Sequence, residues 1–154
     1  MPLTSTNAAL YDEIHNDPVA LGYAQFLPAS PGQVAALLNS LTTGRTGIVS
    51  TFVNARTILS KLGPTYGAAL DAIQAVGASN SAVKWAMLFM TSAEGIDIGD
   101  PVTQAMLDTL AQASVITTVQ ATAIKNLART TISRATELGI VPNPVGILDV
   151  IGAL

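Results

Sequence analysis

The chain has 154 residues, a size that fits one compact domain, and no cysteine, which excludes a disulfide framework, a thiolate metal site and a Cys nucleophile. Charged residues make up 11% against a usual share of about 25%, while hydrophobic residues reach 49%, which excludes a disordered charged tail. Seven basic and ten acidic residues leave a net charge of −3, with no Lys/Arg cluster to neutralise a run of phosphates, so nucleic-acid binding is excluded as the main task.

Leu10 and Ile14, four apart, predict a first short helix over 8–16, ended by Asp17-Pro18. Residues 17–30 mix Pro, Gly and aromatics without a sustained period and predict an irregular arm. Ser30-Pro31-Gly32-Gln33 reads as a capping box that opens a helix with Val34, Leu37, Leu38 and Leu41 on one face. The β-branched run 48–53 suits a short extended piece before Asn54 caps a helix bearing Ile58, Leu59 and Leu62, which Gly63-Pro64 stops.

Residues 65–76 predict a helix through Leu70, Ile73 and Val76, with Gly77 as its C-cap. The helix over 83–90 carries Trp85, Met87, Leu88, Phe89 and Met90; apolar nearly all round, it is expected at the centre of the fold. Asp100-Pro101 marks the start of a helix carrying Val102, Met106, Leu107 and Leu110. Thr117 or Thr118 caps another, with Val119, Ala123, Ile124 and Leu127. Residues 133–139 form a short helix with a Gly139 stop, and Asn143-Pro144 opens the last one through Ile147, Leu148, Ile151 and Leu154. The expected fold is therefore all-α, a compact bundle of seven to nine short helices with an irregular N-terminal arm. In domain terms, 1–30 forms the first helix and arm and 31–154 a single helical domain.

The longest uncharged stretch, 18–44, is broken by three prolines and many polar residues, so no membrane-spanning helix is expected. The first ten residues have neither a basic start nor an apolar run, so no secretory signal is expected either.

Chemistry-bearing residues form no constellation. His15 is the only histidine and sits among Asp12, Glu13 and Asp17 as a solvated helix end. Glu94, Asp97 and Asp100 could offer oxygens to a cation, but they lack the EF-hand spacing, and Asp100 is better used as a helix cap. No phosphate-cradling glycine loop occurs. Met87 and Met90 beside Trp85 and Phe89 read as core before they read as a ligand box. No catalytic residue, cofactor or metal is expected, and the chain is read as non-enzymatic.

A monomer of this mass exposes roughly 7,300 Å², so its charged side chains are thinly spread over the surface. That sparseness points to surface covered by other subunits, as a homo-oligomer or lattice-bound protein, unless the 27 Ser and Thr residues hydrate it instead.

Two blocks carry a resemblance. Glu13-Ile14 followed by Asp17-Pro18 and Gly22-Tyr23, together with Ser133-Arg134-Ala135-Thr136-Glu137-Leu138-Gly139, resemble small proteins of tailed bacteriophages with an N-terminal EIxxDPxxxGY block and a C-terminal SRAxELG. The resemblance covers the first 40 residues well and the last 25 more loosely. Leu21 stands where many relatives carry a basic residue, which puts in doubt any partner contact made at that position. The resemblance implies a virion structural component that contacts shell or neck subunits, with capsid decoration the first expectation and a head–tail junction or tail position the second. A soluble helical adaptor for a host protein is the rival of another class. Its sign would be a monomer with one apolar groove rather than several apolar faces.

For partner contact the expected residues are Tyr11, Asp17, Pro18, Gly22, Tyr23 and Phe26. Asp17-Pro18 breaks the first helix and Gly22 allows a tight turn, which holds Tyr23 and Phe26 on a fixed irregular segment. The same two rings could equally cap the domain's own core.

Overall fold

The computed structural model describes residues 5–154; residues 1–4 lie outside the described residues. The described chain is mostly helical, with two small two-stranded sheets, so it is not strictly all-α. It divides into two compact units, one formed by both chain ends (up to Gly47, and Thr131–Leu154) and one by Ile48–Thr130. The boundaries between the two units fall at 47/48 and 130/131.

The first unit contains α1 (Ser5–Asn16), a 3-10 turn (Tyr23–Phe26), α2 (Pro31–Asn39), α8 (Arg134–Glu137) and α9 (Ile147–Gly152). Its core is built from Leu10, Ile14, Tyr23, Val34, Leu38 and Val150 with their smaller neighbours. Residues 17–30 are thus part of this core, not an arm standing apart from it. Ser30 is the N-cap of α2 but makes no side-chain cap bond, so the expected capping box is absent; Pro31 at N1 pre-sets the first turn. Asn39 ties the C-terminal segment to α2: its Nδ2 donates to the Val145 carbonyl at 2.8 Å, and its Oδ1 accepts from the Val145 N–H at 2.9 Å.

The last helix starts at Ile147, not at Pro144. Gly146 is its N-cap, and the Gly146 N–H donates to Asp149 Oδ2 at 2.7 Å. Its inward face is Val150 and Ala153, while Ile147, Leu148, Ile151 and Leu154, the residues that mark the helix in the sequence, are exposed.

The second unit holds α3 (Ala55–Leu62), a 3-10 turn (Pro64–Tyr66), α4 (Gly67–Gly77), α5 (Ser81–Thr91), α6 (Pro101–Gln112) and α7 (Thr118–Asn126). Four of its helix starts are fixed by local chemistry. Asn54 Oδ1 accepts from the Thr57 N–H, Asn80 Oδ1 from the Val83 N–H, Asp100 Oδ1 from the Val102 and Thr103 N–H groups, and Thr117 with Gln120 closes a capping box. Ile58, Ile73, Val83, Ile98, Leu107 and Ile124 are among the residues of its core. Val102 and Val119, among the apolar residues that mark these helices in the sequence, are exposed.

Strand β2 (Phe52–Val53) pairs antiparallel with β3 (Ile96–Asp97), Phe52 opposite Asp97 and Val53 opposite Ile96. Gly95 permits this approach: its φ is +81°, and a Cβ there would run into the Val53 carbonyl. Of the extended run expected over 48–53, only Ile48, at the end of β1, and Phe52–Val53 are strand, in two different sheets, and the partner in the 92–100 loop was not foreseen. The second sheet pairs β1 (Thr46–Ile48) with β4 (Arg129–Thr131).

Gly77 is not a left-handed C-cap; it is the last residue of α4, and Ala78 is the cap. An added Cβ at Gly77 would lie 3.3 Å from the Lys84 Cα, so its role is close packing of α4 on α5. α5 is not central either. Val83, Met87 and Met90 are buried, whereas Trp85, Leu88 and Phe89 are 59%, 57% and 51% exposed.

Candidate functional site

In the first unit the two sequence blocks meet in one buried polar cluster. The N-terminal block turns back on itself because Asp17 accepts from the N–H groups of Leu21 at 2.7 Å and Gly22 at 2.6 Å, with Gly22 left-handed at φ +82°. That turn delivers Tyr23 into the core with no exposed surface, its hydroxyl donating to Glu13 Oε1 at 3.0 Å. The C-terminal block starts α8 with Ser133, whose Oγ accepts from the Thr136 N–H, and stops it at Gly139, φ +64°.

This short helix aims Arg134 at Glu13. Its guanidinium donates from Nε to Glu13 Oε1 at 2.9 Å and from Nη2 to Glu13 Oε2 at 2.7 Å, a bidentate fork between two buried side chains. The third arm, Nη1, donates to Glu137 at 2.7 Å, and Arg45 reaches Glu137 from the other side.

Titration in this cluster follows from the geometry. Hydrogen bonds from Arg45 and Arg134 pull the Glu137 carboxyl down to about 2. The Arg134 guanidinium is held above its ordinary value, chiefly by its bond to Glu13. Burial, then the Glu13 charge, pushes the Tyr23 phenol well above the ordinary tyrosine range, so it stays protonated as a donor. Glu13 cannot serve as a base for an outside substrate, since both of its oxygens are taken and 3% of the residue is exposed. What this arrangement does chemically is hold 10–23 against 133–140.

Of the six expected contact residues, Tyr23 is therefore corrected: its side chain is core and offers nothing to a partner. Phe26 is half-buried against the same core, Asp17 is spent on the turn, and Gly22 serves it by its conformation. Tyr11 and Pro18 are exposed, Tyr11 at 39%, with its ring stacked on His15 at a centroid distance of 3.9 Å. The structure does not gather the six into one surface.

The expected cation oxygens do not converge. Asp97 accepts from Ser50 Oγ at 2.6 Å, the Thr51 N–H at 2.7 Å and the Gly99 N–H at 2.8 Å, bonds that lower its carboxyl, the Ser50 bond foremost. Asp100 caps α6, and among the described residues no three His, Cys, Asp or Glu side chains form a metal-holding group. No helix among the described residues is long and apolar enough to cross a membrane.

Apolar surface missed by the sequence reading lies elsewhere. In the second unit, Trp85, Leu88 and Phe89 stand out from α5 beside an open groove of about 470 Å³, lined by Gln74, Ala78, Lys84, Trp85, Leu88 and Thr91. In the first unit, Ile147, Leu148, Ile151 and Leu154 form a second exposed apolar face. Exposed faces of this kind mark association more often than chemistry. Comparison with protein-family models, with curated proteins and with solved structures finds no match to this chain.

Proposed function

We propose that the chain is a non-enzymatic structural component of a tailed-phage virion, a capsid decoration or accessory head protein first, and a neck or tail component second. Its partners are other virion proteins, shell or neck subunits, and its location is the particle.

The observation that carries the reading is the distribution of apolar surface. Each unit bears its own exposed apolar face, on α5 and on the C-terminal segment, over a surface with few charges. A soluble adaptor needs one such face, whereas a subunit held among several neighbours needs more than one. The two blocks that resemble phage proteins add to it, because their residues maintain the fold of the first unit and leave the apolar faces for contact.

The test is quantitative mass spectrometry of density-purified particles, scored against the major shell protein. Copies comparable to the shell protein are expected for decoration, and a small ring-like number moves the chain to the neck or tail. Absence from particles overturns the proposal in favour of the adaptor.

A further inference from the structure

The outward face of α5 carries an exposed apolar patch. Its centre is Trp85, Leu88 and Phe89, at i, i+3 and i+4, and small side chains, Ser81 and Ala82 before it and Ser92 after it, leave both ends low. Lys84, in the first turn, lies on the edge of the groove and has no carboxylate partner among the described residues. It stands at the positive end of the helix dipole, and Glu94 follows the negative end, so both charges are misplaced with respect to their own helix.

An antiparallel neighbour corrects both. We propose that two copies of the chain associate through α5 about a two-fold axis, the helices antiparallel, with Trp85 of each copy packed between Leu88 and Phe89 of the other. The register follows from the helix itself. With the axis level with the midpoint between Ala86 and Met87, Ser81 faces Ser92 of the second copy, and the low Ala82 makes room for the second copy's Phe89. Lys84 then lies beside the last-turn carbonyls of the second helix, the end that carries Glu94.

The three apolar side chains leave roughly 300 Å² open per copy, less than half of the about 800 Å² each partner buries in a standard interface. The face is too small to be a whole standard interface, and pairing through it is weak, with a dissociation constant on the order of 0.1 mM. This pairing gives one of the two apolar faces to a second copy and leaves the C-terminal face for other neighbours; its test is separate from that of the virion reading, since a chain absent from particles still dimerises and a monomer can still be found in particles.

The test uses the full chain. Sedimentation velocity from about 5 μM to 0.5 mM should show the mass rising from that of one chain towards that of two, and emission of Trp85, the only tryptophan, should move to shorter wavelength in step. Leu88→Asp, at an exposed position, should raise the dissociation constant at least about tenfold with unchanged helical circular dichroism, and Lys84→Glu should weaken pairing as a second surface change. Because the chain has no cysteine, Ser81→Cys mixed with Ser92→Cys should form a disulfide-linked dimer under oxidation, while each variant alone should not. In the antiparallel pair like positions lie roughly 16 Å apart along the axis, beyond disulfide reach. A monomer at 0.5 mM, a Leu88→Asp variant that associates like the parent, or a Ser81→Cys variant that links to itself would each overturn the proposal.

Discussion

Replacing Arg134 by Met removes the charge that neutralises a carboxylate with almost no access to water. Arg134 makes two bonds to Glu13, at 2.9 and 2.7 Å, and a third to Glu137 at 2.7 Å. Truncating one partner of a buried pair costs about 3–5 kcal/mol, because the other charge is left uncompensated. For a unit of fewer than about 100 residues, each kcal/mol moves the unfolding midpoint by about 4–8 °C, so the first unit should lose at least about 12 °C. Calorimetry reads the shift, and amide hydrogen exchange locates it: peptides from α1, α2 and α8 should exchange faster, with α4–α7 unaffected. Glu13→Leu combined with Arg134→Met should regain most of the loss, since a well-packed apolar pair replaces a buried ion pair at little cost. A shift under about 4 °C for Arg134→Met, or faster exchange confined to the second unit, would refute the assignment of this cluster as the bond between the two blocks.

Tyr23→Phe keeps the ring and deletes only the donor to Glu13, so it should cost about 1–3 kcal/mol in denaturant unfolding of the first unit. Glu137 has a folded value of about 2 against an ordinary 4.5; its contribution is complete above pH 4.5 and is lost as pH falls from there towards 2. Glu137→Gln should therefore narrow its stability gap from the parent steadily across that window, measured by thermal melts at each pH. Asn39→Ala strips both bonds from Val145 and should cost about 1–3 kcal/mol, with faster exchange in the α9 peptide as the readout. Gly95→Ala places a Cβ against the Val53 carbonyl at positive φ and should cost about 2 kcal/mol or more, lost from the second unit in a chemical denaturation curve.

What the sequence made legible was local. Asn54, Asp100, Thr117, Ser133 and Gly139 act through bonds within a few residues, and each begins or ends a helix as its chemistry dictates. Ser30 failed because a capping pattern permits the side-chain bond without requiring it. Which apolar face turns inward was not legible. In α5 and α9 both faces are apolar, so periodicity offers two solutions, and only packing against α4 or α2 selects Val83, Met87 and Met90, or Val150 and Ala153.

The organisation into units was hidden for a related reason. Glu13 and Arg134 are 121 residues apart, and nothing local in either block marks the other as its partner. Both blocks stood out as motifs, yet the rings of Tyr23 and Phe26 read as equally suited to outside contact or to the core. Burial of Tyr23 with a satisfied hydroxyl decides for the core.

The central claim is that the motif blocks keep the fold while the apolar faces make the assembly contacts. Its most direct measurement is the copy number, in purified particles, of two variants expressed in place of the parent chain: Tyr23→Phe, altered in the core cluster, and Leu88→Asp with Leu148→Asp, altered on both exposed faces. The account predicts near-parental occupancy for the first, provided it is folded at the growth temperature, and loss of the second despite a parental melting profile. Full occupancy of the double surface variant, or loss of a folded Tyr23→Phe chain, would contradict it.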